Sequence, residues 1–166
     1  MKNKCKGDFM KLEKTNVMRI LDQKKIIYNT YSYIDTEAIS GMEVATALNQ
    51  NPNKVFKTLV TVSNSKINYV FLVPVNRELN LKKAAKVVNE KSIEMIKSKD
   101  LLGLTGYIHG GCSPVGMKKS FKTIIDLTAK DFDTIIFSAG KIGYQVELSL
   151  LELEKVIKFN LDDISD

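Results

Sequence analysis

Residues 54–75 read KVFKTLVTVSNSKINYVFLVPV and carry the clearest structural pattern in the chain. Its two halves, residues 54–63 and 66–75, are rich in β-branched and aromatic side chains, which favour strands. The polar sequence Ser63-Asn64-Ser65-Lys66 between them is typical of a tight turn. The pattern therefore predicts an antiparallel hairpin.

The rest of the chain supplies helices and further strands around this hairpin. Ser40 followed by Glu43 is a capping box, and Asn80 can cap another helix. Predicted helices cover about 12–25, 40–49, the residues after Asn80, 99–104 and 150–157, and predicted strands cover about 26–34, 107–109, 123–127, 134–138 and 144–148. Strand pairs that adjoin in sequence, with helices grouped between them, favour an α+β fold. We expect a mostly antiparallel, curved or barrel-like mixed sheet flanked by helices.

The length fits a single domain spanning residues 1–166. A folded chain of 166 residues buries roughly 70% of its unfolded surface, so its core needs neither disulfides nor a structural metal. We expect the core to cover about 14–157, with residues 1–9 and 160–166 as loose tails, because polar chain ends are commonly solvated.

The composition argues against metal, cofactor and membrane binding. The two cysteines, Cys5 and Cys112, and the single His109 are too few for a disulfide framework or a zinc ribbon. Neither the dinucleotide motif nor the phosphate-loop motif occurs. Residues 1–9 lack the apolar core of a signal peptide, and no apolar run approaches the ~20 residues of a membrane span. We therefore expect a cytoplasmic protein without metal, cofactor or membrane partner.

The chain carries a formal net charge of +6, which permits electrostatic attraction to nucleic acid. Many lysine-rich proteins are equally basic without such a partner. The charge alone therefore leaves both interpretations open.

Lys57 stands out within the first predicted strand. Because side chains alternate across a strand, Lys57 shares one face with Val55 and Leu59, while Phe56 and Thr58 lie on the other. Both faces are largely apolar, and an isolated buried charge is costly. The lysine either snorkels at a strand edge or is a cation held at a ligand pocket, where it donates to a carbonyl or phosphate oxygen.

Residues 105–119 read TGYIHGGCSPVGMKK and form a glycine-rich stretch. Four glycines and a proline let the backbone turn sharply and approach a ligand closely. Consecutive N–H groups there can form a nest for an anion or a developing oxyanion. A purely structural turn and bulge is the alternative.

Two further observations concern single residues. A catalytic Cys112 thiolate would need a cationic neighbour to lower its pKa, and His109 lies three residues away in the loop. A catalytic pair of the two is disfavoured, and the histidine is interpreted as a satisfied structural residue. Residues 137–148, FSAGKIGYQVEL, predict a second hairpin in which Gly140 and Gly143 supply positive φ angles.

Three stretches, in this order, carry a resemblance to a known family. They are Val55-Phe56-Lys57-Thr58-Leu59; Thr105-Gly106-Tyr107 with Gly110-Gly111-Cys112-Ser113-Pro114-Val115-Gly116-Met117-Lys118-Lys119; and Ser138-Ala139-Gly140-Lys141-Ile142-Gly143. Over about 14–157 the chain resembles the YbaK/ProX family of aminoacyl-tRNA deacylases, which includes the insertion domain of bacterial prolyl-tRNA synthetases. The double lysine Lys118-Lys119 is more similar to the branch acting on Cys-tRNA(Pro) and Cys-tRNA(Cys) than to the alanine-editing branch.

The resemblance implies a site and partners. Lys57 matches the lysine treated as essential in the family and is the expected catalytic residue. The implied partners are the 3′ acceptor end of aminoacylated tRNA and prolyl-tRNA synthetase. Gln145 stands where some members carry aspartate, Ala139 where many carry glycine, and Ile142 where arginine is common. The implied substrate-binding residues are Tyr31, Thr58, Gly110, Gly111, Cys112, Ser113, Pro114, Gly116, Ser138 and Gln145.

The resemblance also implies a mechanism in which the substrate supplies the nucleophile. The thiol of the attached cysteine would attack its own ester carbonyl and expel the tRNA 3′-oxygen, releasing a cyclic thioester. Two alternatives stay open. One is hydrolysis of Ala-tRNA(Pro) by an activated water, and the other is a non-catalytic module that binds tRNA or prolyl-tRNA synthetase.

Overall fold

The computed structural model describes residues 14–166, so the expected loose start at residues 1–9 lies outside the described part of the chain. The helices are α1 (Asn16–Gln23), α2 (Gly41–Ala47), α3 (Leu81–Val87), α4 (Ser98–Thr105) and α5 (Leu150–Glu154). The strands are β1 (Asn29–Ser32), β2 (Phe56–Ser63), β3 (Asn68–Pro74), β4 (Ile93–Met95), β5 (Lys122–Asp126), β6 (Ile135–Ser138), β7 (Tyr144–Leu148) and β8 (Asn160–Asp162). Short 3₁₀ turns cover Pro52–Lys54 and Leu127–Asp131. Within residues 14–166, no helix is long and apolar enough to cross a membrane.

The strands form two sheets. A five-stranded sheet has the order β4-β2-β3-β5-β8, and a three-stranded sheet has the order β1-β7-β6. Of the six strand pairings, four are antiparallel and two, β3 with β5 and β5 with β8, are parallel. A parallel bridge between Val55 and Ile136 joins the sheets immediately before β2. The predicted α+β fold with a mostly antiparallel mixed sheet is confirmed.

The central hairpin is confirmed, with its register fixed by the turn. Strands β2 and β3 pair from Phe56 opposite Pro74 to Val62 opposite Asn68. Lys66 adopts a φ of 66° in the turn. Lys57 lies opposite Val73, so it projects from the face of the five-stranded sheet that also carries Val73.

Local capping signals fix the starts of two helices. The Ser40 hydroxyl accepts from Glu43 N at 3.2 Å, and the Glu43 carboxylate accepts from Ser40 N at 3.0 Å, which completes the predicted capping box. The Asn80 side chain accepts from Lys83 N at 3.0 Å and begins α3. The box places the first turn of α2 beside β2, where it borders the candidate site.

Apolar side chains cover both faces of the five-stranded sheet. Along β3, Val70 and Leu72 belong to a core shared with α1 and the three-stranded sheet. Phe71 and Val73 belong to a second core, which is closed by α3 and Ile164. This alternation is the two-residue period of a strand buried on both faces.

The prediction of a strand over 107–109 is wrong. Gly111 N donates to Ile108 O at 3.0 Å and closes a tight turn, which Gly110 enters with a φ of +87°. The Tyr107 ring is buried, and its hydroxyl donates to Val115 O. The glycine that follows therefore decides the backbone here, against the strand propensity of Tyr107 and Ile108.

The expectation of a loose tail over 160–166 is also wrong. Strand β8 pairs in parallel with β5, and Leu79 forms an antiparallel bridge with Ser165. Ile164 is fully buried, and its N–H donates to the Asp126 carboxylate at 3.1 Å. Burial of Ile164 and the open edge of β5 hold this acidic segment on the molecule, which its composition did not indicate.

Candidate active site

A cavity of about 610 Å³ lies beside β2. This volume falls within the range of about 300–1,000 Å³ that is typical of small-molecule sites. Its walls are β2, the first turn of α2, the segment that leads into α4, the glycine-rich loop and the ends of β6 and β7. Six of the residues predicted for the site line it: Lys57, Thr58, Gly110, Cys112, Ser138 and Gln145.

Lys57 lies on the cavity wall with one carboxylate beside it. Its Nζ is 3.3 Å from Glu78 Oε1, and the two side chains are 29% and 88% exposed. Strand β4 pairs with β2 only at Thr61–Ser63, so within residues 14–166 no strand covers the edge of β2 beside Lys57. The lysine is therefore a half-buried cation at a cavity, where a ligand oxygen can reach it.

Thr58, the next residue along β2, also lines the cavity and presents unused polar groups. Its hydroxyl is buried and has no hydrogen-bond partner among residues 14–166. Backbone groups of successive residues along a strand point alternately to its two sides. Val55 O accepts from Val75 N on the β3 side, and Val60 O accepts from Ile96 N on the opposite side. Thr58 is two residues from Val60, so its N–H and C=O groups also point away from β3. A buried hydroxyl without a partner costs about 1–3 kcal/mol, which a polar ligand atom would recover.

The glycine-rich loop contributes Gly110 and Cys112 to the wall, whereas its other predicted residues shape the loop. Gly111 packs against the 141–142 turn, where an added Cβ would lie 3.1 Å from Ile142 N. Gly111 N already donates to Ile108 O, which removes it from the expected oxyanion donors. The N–H groups of Gly110 and Cys112 make no hydrogen bond within the described chain.

Three more loop residues were predicted to bind substrate, but the structure does not place them on the cavity wall. Ser113 is fully buried, and its hydroxyl accepts from Val115 N at 3.3 Å. Pro114 is buried beside it. Gly116 has a φ of +79°, and an added Cβ would lie 2.8 Å from the Tyr107 hydroxyl. These residues support the loop rather than contact the cavity.

Cys112 and His109 differ in their surroundings. Burial raises the pKa of the Cys112 thiol to about 12, which disfavours the thiolate near neutrality and argues against a nucleophilic role. His109 is exposed, lines the cavity and makes no hydrogen bond within residues 14–166. The interpretation of His109 as a satisfied structural residue is therefore wrong.

Tyr31 does not line the cavity, contrary to the expectation of a substrate contact. Its hydroxyl donates to Glu147, which also accepts from Lys54 Nζ at 2.8 Å and from the Thr134 hydroxyl at 2.6 Å. Burial alone would raise the pKa of the Glu147 carboxyl, but these hydrogen bonds outweigh it and hold the pKa below its usual value. Tyr33, two residues along the chain, lines the cavity instead.

Gln145 and Ser138 close the far side of the cavity. Gln145 is buried, and its Oε1 accepts from Gln50 Nε2 at 2.8 Å. The Ser138 hydroxyl accepts from Gly140 N at 3.1 Å and keeps its proton for another partner. Gly140 adopts a φ of +86° and Gly143 one of +103°, which confirms the predicted glycine turn.

Sequence reasoning missed several wall residues, among them Tyr33, Met42, Glu78 and Met95. Glu78 carried one weak signal, because it follows the strand that pairs with the Lys57 strand. The others carried none. Among the residues that the structure describes, no group of three or more His, Cys, Asp or Glu side chains is placed to hold a metal ion.

Comparison of the chain with known proteins identifies its family. The model of the family described as "Aminoacyl-tRNA editing domain" matches residues 36–156. A protein of Enterococcus faecalis, provisionally named Cys-tRNA(Pro)/Cys-tRNA(Cys) deacylase EbsC, is 46% identical over 138 residues, which cover 82% of this chain and 84% of that protein.

Two further comparisons agree. A proline–tRNA ligase of Lactobacillus helveticus is 26% identical over 124 residues, which cover 75% of this chain and 21% of the ligase. A solved structure, provisionally described as a trans-editing enzyme for prolyl-tRNA synthetase, shares the fold with a TM-score of 0.77 at 19% identity, covering 92% of this chain and 98% of that one. The chain therefore belongs to the aminoacyl-tRNA editing domain family.

Proposed function

We propose that the chain is a trans-editing aminoacyl-tRNA deacylase that releases cysteine from Cys-tRNA(Pro), with Cys-tRNA(Cys) as a second substrate. The observation that carries the proposal is the half-buried Lys57 ammonium on the wall of a 610 Å³ cavity, in a chain of the editing family. The Enterococcus faecalis relative, named for this substrate pair, supports the choice of amino acid. We place the reaction in the cytoplasm, on free aminoacyl-tRNA or beside prolyl-tRNA synthetase.

The substrate supplies the nucleophile in this proposal. The cysteine thiol loses its proton to solvent, and its sulfur attacks the carbonyl carbon of the same aminoacyl ester. A C–S bond forms, the bond from the carbonyl carbon to the tRNA 3′-oxygen breaks, and that oxygen takes up a proton. Water then opens the released cyclic thioester to cysteine. An unperturbed thiol pKa of about 8.5 leaves a few per cent thiolate near neutrality, which is sufficient for attack within a bound substrate.

The chain's own groups stabilise the oxyanion and hold the reactive conformer. Lys57 Nζ donates to the carbonyl oxygen or to the phosphate of the terminal nucleotide, and it does not act as a base. Gly110 and Cys112, whose N–H groups have no hydrogen-bond partner within the described chain, and Thr58, whose buried hydroxyl has none there either, line the same cavity as Lys57. One well-placed donor of this kind contributes about 10²–10³ to the rate.

One observation favours a second candidate, the hydrolysis of Ala-tRNA(Pro) by water. His109 is exposed on the cavity wall without a hydrogen-bond partner in the described chain. An imidazole in such a place can serve as a general base for a water molecule. This route needs no sulfur in the substrate, so a change of amino acid separates the two candidates.

The test is release of labelled amino acid from Cys-tRNA(Pro), Ser-tRNA(Pro) and Ala-tRNA(Pro) by the wild-type chain. Serine replaces the sulfur by oxygen and is the matched control. We expect fast loss of cysteine alone. Loss of alanine or serine at a comparable rate would contradict the substrate-thiol route, and tRNA binding without loss of any amino acid would indicate a non-catalytic module.

A further inference from the structure

Glu78 is the only Asp or Glu among the residues that line the cavity in the described part of the chain. Lys57 is likewise the only Lys or Arg on that wall. The two side chains approach to 3.3 Å between Lys57 Nζ and Glu78 Oε1. The cavity therefore offers one cationic and one anionic group side by side, and the proposed mechanism uses only the cation.

The backbone of Glu78 is held in place by the C-terminal residues. Glu78 N donates to Asp166 O at 3.3 Å, and Asp166 N donates to Glu78 O at 3.0 Å. Leu79 forms a bridge with Ser165, and Lys83 forms ion pairs with Asp163 and Asp166. The segment that composition suggested to be loose thus fixes the backbone from which the Glu78 carboxylate projects.

The Glu78 carboxylate itself keeps capacity for a ligand. Its side chain is 88% exposed, and only Oε1 is engaged, by Lys57. Oε2 makes no hydrogen bond or ion pair to any residue between 14 and 166. A second cation can therefore bind Oε2 while Lys57 stays on Oε1, because a carboxylate offers several acceptor sites.

An aminoacyl ester brings such a cation. Its α-amino group is free, and the protonated form of such an amine is an ammonium cation near neutrality. Lys57 alone would repel that ammonium from the wall on which the ester carbonyl has to lie. We propose that Glu78 binds the α-ammonium of the aminoacyl group and so selects substrates with a free amine over N-acylated ones. This inference rests on the proposed deacylase function.

The test compares Glu78→Gln with wild type on two substrates, Cys-tRNA(Pro) and N-acetyl-Cys-tRNA(Pro). Glutamine keeps the shape of an exposed side chain and removes its charge. We expect kcat/KM for Cys-tRNA(Pro) to fall about tenfold or more, as for a lost charged hydrogen bond. For the N-acetylated substrate we expect a change within about twofold. For each substrate, the ratio of kcat/KM in the variant to kcat/KM in the wild type cancels the effect of acetylation on the reactivity of the thiol.

Glu154→Gln is the matched control, because Glu154 is exposed and does not line the cavity. It should leave both rates at their wild-type values. A second readout is inhibition by the non-hydrolysable amide of cysteine with 3′-amino-3′-deoxyadenosine, with its α-amine free or acetylated. Glu78→Gln should weaken inhibition by the compound with the free amine and leave inhibition by the acetylated compound unchanged.

The outcomes separate the two claims. An equal fall for both substrates would show that Glu78 acts only through Lys57, and no fall for either would show that it is not used. Each result would overturn this inference and leave the deacylase function standing. A wild-type chain that releases no cysteine would overturn the function itself.

Discussion

Two lysines near the start of β2, Lys54 and Lys57, each form an ion pair with a glutamate, and the two pairs have different surroundings. Lys54 Nζ lies 2.8 Å from Glu147 Oε2, and the side chains are 24% and 10% exposed. Lys57 Nζ lies 3.3 Å from Glu78 Oε1, and the side chains are 29% and 88% exposed. The first carboxylate also accepts from Thr134 and Tyr31, whereas the second accepts from Lys57 alone within the described chain.

From this difference we infer that one pair is structural and the other functional. Because Glu147 is buried and already hydrogen-bonded to three side chains, it offers a ligand no open acceptor site. Removal of one partner would leave an unpaired charge in the interior. Glu78 is open to solvent, so its pair with Lys57 adds little to stability and is readily exchanged for a ligand. We infer that the Lys54–Glu147 pair stabilises the start of β2 and that the Lys57–Glu78 pair binds substrate in the cavity.

The largest expected effect on stability comes from Lys54→Met. It removes the cation from the buried Glu147 cluster, and the free energy of unfolding should fall by about 3 kcal/mol. Lys57→Met breaks the exposed pair instead and should cost less than about 1 kcal/mol. Urea denaturation of the two variants measures both values, and equal losses would contradict the distinction between the pairs.

The second expected effect concerns pH. The folded-state pKa of Glu147 is lowered from its ordinary 4.5, so its stabilisation is present above pH 4.5 and is lost as pH falls through the folded-state pKa. The melting temperature should therefore drop less steeply below pH 4.5 in Glu147→Gln than in the wild type. Asp126, whose pKa is also lowered, is present in both proteins, so the melting temperature of each should still fall to some extent in acid. Identical slopes would show that Glu147 is not held as described.

The features that the sequence predicted are the ones that short-range rules determine. The Ser40–Glu43 box, the Asn80 cap and the alternation along β2 each depend on residues a few positions apart, and all three are present. The family motifs predicted six of the cavity-lining residues, with Lys57 among them.

Residues that depend on contacts distant in sequence were not predicted. Glu78 reaches the cavity because Asp166 holds its backbone, across a separation that no local pattern reports. Tyr31 turns to Glu147, although its family position suggested a pocket contact. Ser113, Pro114 and Gly116 match the family motif because the loop needs their shape, so the motif by itself could not distinguish supporting residues from contacting ones.

The smallest expected effect comes from Cys112→Ala. Burial raises the pKa of this thiol to about 12, so it stays protonated and takes no part in the proposed chemistry. The rate of cysteine release at saturating substrate should stay within about twofold of wild type, as measured in a single turnover with enzyme in excess. A hundredfold loss of rate would show that the Cys112 thiol takes part in the reaction.

The role of Lys57 is tested by single-turnover release of cysteine from Cys-tRNA(Pro) by Lys57→Met and Lys54→Met, measured side by side at a temperature at which both are folded. Methionine keeps the side-chain stem and removes the charge in each case. We expect Lys57→Met to lose about 10²–10³ of the rate and Lys54→Met to stay within a few fold of wild type. A Lys57→Met variant as fast as the wild type, or equal losses in the two variants, would contradict the assignment of the Lys57 pair to the active site.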